Sequence, residues 1–120
     1  MHKLDLKIRL HCDDEIAIGP GKADLLAAIR EAGSISGAAR LLGMSYRRAW
    51  LLVETMNRCF REPLVTTLAG GRHGGGAQLT STGEQVLKSY LRIYARAVAE
   101  IEGDMAEITA LLACVNTLEE

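Results

Sequence analysis

Residues 33–50 read GSISGAARLLGMSYRRAW and contain the residues that end and begin successive helices. Gly33 and Gly43 stand where C-terminal glycines would end two successive helices. Between them lies a short run rich in alanine and leucine, which Ser34 or Ser36 can cap. A short helix, a tight turn at Gly43 and a following helix with arginine in its first turn together indicate a helix-turn-helix.

The helix after this turn is the expected recognition helix, over about residues 45–58. We expect Ala49, Val53 and Met56 to share its buried face, because they recur at helical spacing. Trp50 is predicted to pack there too, since tryptophan is usually largely buried. A recognition helix presents its N-terminal residues to base edges, where arginine can pair with guanine. The predicted DNA contacts on this helix are Ser45, which also caps it, Tyr46, Arg47, Arg48, Leu51 and Glu54.

A glycine-rich hairpin is predicted at about residues 64–80. Two β-prone segments, Leu64–Leu68 and Ala77–Thr80, flank a tip with five glycines from Gly70 to Gly76. After a helix-turn-helix, such a hairpin is a wing. The same glycines offer an alternative use, a backbone nest for an anion such as molybdate.

Four further DNA contacts are predicted outside the recognition helix. Arg72, at the tip of the hairpin, is expected to enter a minor groove or to lie near a phosphate. Arg40, Thr66 and Thr67 are expected to contact phosphates.

The residues before the helix-turn-helix predict a strand and a helix. Leu4–Leu10 alternates apolar and polar residues, which is typical of a half-buried strand. Asp13 and Asp14 indicate a turn. Leucine and isoleucine then recur at helical spacing until Gly33, at Leu25, Leu26 and Ile29.

A long helix is predicted from Ser81 to about Leu118, capped by Ser81 or Thr82. Its apolar residues recur at alternating steps of four and three, which is a heptad pattern. These residues are Leu87, Leu91, Tyr94, Val98, Ile101, Met105, Ile108, Leu112 and Val115. Such a helix reaches roughly 55 Å, too far for a small domain to cover. We therefore predict that residues 81–120 form a dimerisation helix, with Leu91 and the later heptad residues contacting a second copy.

The charge is unevenly distributed along the chain. The formal net charge is −1, but residues 36–75 carry +4, against −1 for residues 1–35 and −4 for residues 76–120. A basic middle between acidic flanks is typical of a localised phosphate-binding face.

Several classes of protein are not expected. No apolar run approaches the length of a membrane span and the N-terminus lacks a secretion signal, so we expect a cytoplasmic protein. Catalytic motifs are absent, which argues against an enzyme. Residues 11–14, His-Cys-Asp-Asp, fit a turn better than a metal site. Cys12, Cys59 and Cys114 form no Cys-x-x-Cys pair and are expected to be buried and inert.

Residues 33–50 resemble the N-terminal DNA-binding domain of ModE-type molybdate-responsive transcriptional regulators. The likeness continues through Glu54–Asn57, Pro63–Val65 and Gly70–Thr80, and the helix-turn-helix alone also resembles that of LysR-type regulators. The resemblance implies a mainly α fold with a small β wing. It places a winged helix-turn-helix at residues 1–80, before the long C-terminal dimerisation helix, and it implies binding of a roughly palindromic duplex DNA.

The resemblance also bears on the effector. Family members that sense molybdate do so with a separate C-terminal oxyanion-binding domain, which would begin where these 120 residues end. We therefore expect no cofactor in this chain, and molybdate only through a missing domain or a partner. The alternative function is a regulatory protein–protein interaction module that acts through the acidic helix and the glycine-rich wing.

Overall fold

Two short antiparallel hairpins and three packed helices form the body of the molecule, and a fourth helix projects from it. The computed structural model describes residues 1–68 and 75–115. In chain order the elements are β1 (Leu10–Cys12), β2 (Glu15–Ile18), α1 (Pro20–Ala32), α2 (Ile35–Leu42), α3 (Tyr46–Cys59), β3 (Val65–Thr67), β4 (Ala77–Leu79), α4 (Ser81–Thr109) and a 3₁₀ turn (Ala113–Val115). The predicted fold, mainly α with a small β wing, is confirmed. None of the helices in the described ranges is long and apolar enough to cross a membrane.

The first hairpin begins later than its sequence predicts. β1 pairs with β2 around a turn at Asp13, whose φ of 55° is left-handed, a conformation that aspartate tolerates. The predicted strand over Leu4–Leu10 is wrong, because residues before Leu10 lie in no strand. β2 ends at Ile18, immediately before α1, so nothing pairs with the earlier residues. The Tyr90 hydroxyl instead donates to the carbonyl oxygen of Ile8 at 2.7 Å.

Local capping chemistry sets the ends of α1, α2 and α3. Gly33 and Gly43 end α1 and α2 with left-handed φ values of 77° and 69°. Ser34, rather than Ser36, caps α2 by accepting from the Gly37 amide at 2.9 Å. Ser45 caps α3 by accepting from the Arg48 amide at 3.1 Å. These caps confirm the predicted helix-turn-helix.

The core lies where α1, α2 and α3 meet the wing and the start of α4. Ala49, Val53 and Met56 are buried there, as predicted. Ala38 and Ala39 of α2 are buried in the same core. The largest fully buried side chains are Leu25, Leu26, Ile29, Met56, Leu64 and Leu87.

The predicted burial of the cysteines is wrong. Cys12 and Cys114 are exposed, and Cys59 is half-buried. Cys12 belongs to β1, whose one paired strand among the described residues is β2, and Cys114 lies beyond α4. Cys12 and Cys114 are therefore exposed because they lie at the edge of the molecule rather than in its core.

The long helix is capped and ended differently from its sequence prediction. Thr80, not Ser81 or Thr82, caps α4 by accepting from the Gly83 amide at 2.9 Å. α4 ends at Thr109 rather than near Leu118, so Leu112 and Val115 lie beyond it. The last turn tightens because the Leu112 amide donates to the carbonyl oxygen of Thr109 at 3.1 Å. The chain amino group also donates to the Cys114 carbonyl at 3.1 Å, which holds the chain near its own N-terminus.

The projection of α4 gives the molecule an elongated outline. Its principal extents are 62 × 29 × 23 Å. The first turns of α4 pack on the body through Leu87 and Tyr90, which are both buried. The rest of the helix extends beyond the body, which leaves its apolar side uncovered by the other helices.

Candidate nucleic-acid interface

The first turn of α3 presents a cluster of exposed polar and basic side chains. Tyr46 is 56% exposed, and Ser45, Arg47 and Arg48 are exposed beside it. Among the described residues, neither Arg47 nor Arg48 lies within 4.0 Å of a carboxylate oxygen. Both guanidinium groups can therefore meet an anion without first breaking an ion pair.

The exposed face of α3 continues along the helix beyond this cluster. Leu51 is 45% exposed and Glu54 is exposed, on the side opposite the buried Ala49 and Val53. All six residues predicted to contact DNA from this helix and its cap are exposed. One side of α3 therefore packs in the core, and the other side is exposed to solvent.

Asn57 fastens α3 to the wing, a role that the sequence analysis did not predict. Its Oδ1 accepts from the Leu64 amide at 2.8 Å and from the Val65 amide at 3.2 Å. Its Nδ2 donates to the Val65 carbonyl at 3.0 Å. One amide side chain thus satisfies three backbone groups, so the wing keeps a fixed position relative to the recognition helix. An asparagine followed by a turn and a strand is the sequence signal for this role.

The wing consists of the antiparallel pair β3 and β4, which contacts the end of α1. Val65 pairs with Leu79 and Thr67 pairs with Ala77. The Ala77 amide also donates to the carbonyl oxygen of Gly33 at 2.9 Å, which ties β4 to the end of α1. Thr66 and Thr67 are both exposed on β3, whereas Arg72 lies outside the described residues.

Arg40 belongs to α2 rather than to α3. It is exposed in the last turn of α2 and lines a shallow depression together with Glu31 and Ser34. The groove beside α3 is lined by other residues. Arg40 therefore lines a different depression from Tyr46 and Thr67.

A groove of about 350 Å³ runs between α3 and the wing. Trp50 and Tyr46 line its α3 side, and Thr67 lies on its wing side. The prediction that Trp50 packs in the core is wrong, because this side chain is 38% exposed. Each residue of a helix is rotated by about 100° from the last, so the residue after Ala49 points to the flank rather than the core.

Arg58 has a structural partner at the far end of α3. Its Nη2 donates to Glu15 Oε2 at 2.6 Å, which joins the first hairpin to α3. The hydrogen bond from Arg58 lowers the pKa of the Glu15 carboxyl. Burial raises the pKa of the neighbouring Cys59 thiol, and the hydrogen bond to Glu15 raises it further. Arg58 therefore differs from Arg47 and Arg48, which have no such partner in the described chain.

The apolar heptad residues of α4 fall into three groups. Leu87 is buried in the body of the same chain, whereas Leu91 and Ile108 are 51% and 58% exposed. Four residues are half-buried: Tyr94, Val98, Ile101 and Met105. The two remaining heptad residues, Leu112 and Val115, follow the end of the helix. An apolar stripe therefore runs along the projecting part of α4.

A depression of about 580 Å³ lies beside this stripe. The N-terminal residues His2, Lys3 and Leu4 form one wall, and Val98 and Met105 belong to the other. Residues at the start of the chain therefore cover part of the stripe. The exposed fractions of Leu91 and Ile108 show that the cover is incomplete.

Comparison with known sequences places the chain among regulators. The family described as bacterial regulatory helix-turn-helix protein, lysR family, matches residues 22–84. Molybdenum transport protein ModE of Azotobacter vinelandii is 37% identical over 106 residues, which cover 86% of this chain and 39% of that protein. The DNA-binding transcriptional dual regulator ModE of Escherichia coli K12 is 31% identical over 116 residues, 93% of this chain and 44% of that protein. The chain thus spans less than half the length of these relatives, and its resemblance to their N-terminal domain is confirmed.

Solved structures share the fold. Full-length LysG from Corynebacterium glutamicum matches with a TM-score of 0.53 and 25% identity, over 73% of this chain and 30% of that chain. CbnR_DBD, solved in a complex with DNA, matches with a TM-score of 0.54 and 23% identity, over 75% of this chain and 95% of that chain. The winged helix-turn-helix arrangement is therefore shared with both.

Proposed function

The chain belongs to the lysR family of bacterial regulatory helix-turn-helix proteins, and we propose that it regulates transcription by binding duplex DNA as a homodimer. We place this activity in the cytoplasm and assign the chain no catalytic role. Each protomer reads one half of a two-fold operator.

The observation that carries this proposal is the exposed first turn of α3. Ser45 fixes the start of the helix, and Arg47 and Arg48 extend from it without carboxylate partners in the described chain. Asn57 holds the wing beside the same helix. A helix with exposed arginines at its N-terminus and a wing fixed at its side fits a major groove and the neighbouring backbone.

Separate roles follow for the residues of this surface. Arg47 and Arg48 pair with base edges, as bidentate partners of guanine. Tyr46, Leu51 and Glu54 extend the base-facing surface along α3. Ser45, Thr66 and Thr67 lie at phosphates, where they set the register of the protein on the duplex. We also assign DNA contacts to Arg40 and Arg72.

The projecting part of α4 supplies the dimer contact. Apolar side chains at heptad spacing from Leu91 to Ile108 pack against the same helix of a second copy, which covers the stripe that one chain leaves exposed. Two-fold symmetry then sets the two α3 helices for half-sites about one DNA turn apart, or a multiple of it. Leu112 and Val115 extend this contact past the end of the helix.

We also propose that regulation is of the molybdate-responsive type. The support comes from the names of the relatives, which describe molybdenum transport and transcriptional regulation. In this proposal molybdate binds a further domain or a partner protein, and residues 1–120 supply the DNA-reading part.

Selection of bound duplexes from a random DNA library tests the proposed function. We expect a recovered motif with two-fold symmetry and, with residues 1–120 alone, the same motif with and without molybdate. Recovery of no enriched sequence, with no retention of duplex DNA at low salt, would contradict DNA reading and favour the protein-interaction alternative. Molybdate dependence with this chain alone would place the effector site within it.

A further inference from the structure

A pocket of about 310 Å³ lies where the first hairpin, the end of α3 and the first turns of α4 meet. Its lining is mainly apolar. Ile8 and Ile18 come from the hairpin and the residues before it, Phe60 from the end of α3, and Val86 and Ile93 from α4. Small-molecule sites in proteins are concave, mainly apolar and of about this volume or larger. The pocket therefore has the size and lining of a small-molecule site.

Two polar side chains of this pocket are placed to bind an anion. Arg9 is the only charged residue among the described residues that line it, and no described carboxylate oxygen lies within 4.0 Å of its guanidinium. Ser89 Oγ accepts from Gln85 Nε2 at 2.9 Å, so its own O–H can turn towards a ligand. An apolar pocket with one cation and one hydroxyl donor suits an apolar molecule with a negatively charged end.

Tyr90 indicates where the charge of Arg9 lies. The Tyr90 hydroxyl already donates to the Ile8 carbonyl at 2.7 Å, so it does not need a ligand. Burial raises the pKa of the Tyr90 phenol, as does the charge of Asp24, whereas the positive charge of Arg9 lowers it. Asp24 lines a separate depression, together with Glu31. The guanidinium of Arg9 therefore lies close to the pocket wall formed by Tyr90, and the nearby carboxylate is not part of the lining.

The α4 residues that line this pocket are not those of the apolar heptad stripe. Val86, Ser89 and Ile93 line the pocket, whereas Leu91 and Tyr94 belong to the stripe. Neighbouring residues of a helix point about 100° apart, so a second copy packed along the stripe leaves the pocket open. A stable protein interface buries about 800 Å² of each partner, more than a pocket of this volume offers by itself. These observations favour a small molecule as the occupant.

We propose that this pocket binds a small organic acid with an aromatic or short aliphatic body. The body packs against Phe60, Val86 and Ile93. The carboxylate accepts hydrogen bonds from the Arg9 guanidinium and the Ser89 hydroxyl. The acid lies between the end of the recognition helix and the proposed dimer helix. This binding goes beyond the proposed function, because it requires neither DNA nor molybdate.

Methyl NMR of the chain without DNA tests the proposal. Isoleucine and valine methyl groups are labelled, and phenylacetate or hexanoate is added at millimolar concentration. We expect saturable shifts of the methyl signals of Ile8, Ile18, Val86 and Ile93. Acetate, which lacks the apolar body, should give no such shifts. Absence of saturable shifts with both of the larger acids overturns the proposal and leaves the proposed function intact.

The neutral analogue phenylacetamide tests the role of the carboxylate. It should bind about tenfold more weakly than phenylacetate, because it loses the charge-assisted hydrogen bond from Arg9. Arg9→Gln should weaken phenylacetate binding by a similar factor and leave phenylacetamide binding unchanged. Equal affinities of the acid and the amide for the unaltered chain would remove the carboxylate from the site and overturn the proposal.

The matched control is Arg96→Gln, which removes the same charge from an exposed position of α4 outside the pocket. It should bind phenylacetate as the unaltered chain does. Ile93→Asp places a carboxylate at a position of the lining that is 52% exposed, and it should abolish binding of the acids. Unchanged affinity of this variant would contradict the site. Shifts of the same methyl signals on dilution of the chain without acid would show a second copy in the pocket and overturn the proposal.

Discussion

Gly83 and Leu64 are in direct backbone contact, because a Cβ at position 83 would overlap the carbonyl oxygen of Leu64. The same carbonyl accepts from the Thr80 amide at 2.9 Å. The first turn of α4 is therefore seated on the strand that begins the wing. Since Asn57 ties that strand to α3, the DNA-facing helix and the proposed dimer helix are linked through one short segment.

Gly83→Ala is expected to destabilise the protein by about 2 kcal/mol, because the added methyl group meets backbone that cannot move alone. The matched control is Gly103→Ala, also in α4, where an added Cβ meets nothing within 4 Å. That change should stabilise the protein by up to about 1 kcal/mol through helix propensity. Urea unfolding of both variants checks the pair, and equal effects would contradict the close contact.

Asn57→Ala is expected to cost about 2 kcal/mol of folding free energy, because the Leu64 and Val65 amides lose their acceptor. DNA affinity should fall with it, since the wing loses its fixed position. Chemical denaturation and anisotropy measure the two effects. Thr55→Ala, on the same helix, removes a hydroxyl that bonds only the Leu51 carbonyl in the described structure, and it should leave both quantities close to wild type.

Arg47→Ala and Arg48→Ala are each expected to weaken operator binding by about tenfold or more, the value of one good bidentate base contact. Light scattering should show an unchanged dimer, because neither residue lies on α4. Arg96→Ala, which removes an equal charge from the exposed surface of α4, is the control and should bind normally. Full affinity in both α3 variants would show that base reading lies elsewhere.

Ile101→Asp is expected to give monomers in light scattering, because it puts a charge in the apolar stripe of α4. Ala99→Asp adds the same charge to the same helix about 200° away, at an exposed position, and should leave the dimer intact. A dimer that persists in Ile101→Asp would rule out the heptad contact.

The pKa of Glu15 should depend on Arg58. The hydrogen bond from Arg58 lowers this pKa below the ordinary value of 4.5, so the pair stabilises the folded state fully above that pH. Its contribution is lost as the pH falls through the lowered pKa of the folded state. Arg58→Ala should return the pKa of Glu15 towards its ordinary value, which NMR titration of the carboxyl carbon measures. An unchanged pKa would show that the pair does not form in solution.

Local chemistry explains which parts of the fold were predictable from the sequence. Ser34 and Ser45 each accept from an amide three residues later, and Gly43 ends α2 with its own left-handed φ. Because these effects are local, the helix caps can be predicted from the sequence. The buried face of α3 follows from helical period alone. The six residues predicted to contact DNA from α3 and its cap are all exposed.

Long-range contacts explain the predictions that failed. Leu4–Leu10 alternates as a strand does, but β2 pairs only with its last residue, Leu10. Trp50 is of a residue type that is usually buried, yet it lies on the flank of α3 that lines an open groove beside the wing and α2. The end of α4 has no proline or glycine to mark it, and the chain there bonds to its own N-terminus.

The helix-turn-helix, the wing and the basic surface follow from the residues alone, because caps, periodicity and charge act over short distances along the chain. Only the tertiary structure decided how these parts are joined. Asn57 and Gly83 make contacts that depend on where separate elements meet in space, and the exposure of Trp50 depends on how closely the wing approaches α3. Such distances are set by packing of the whole domain, which no single stretch of residues specifies.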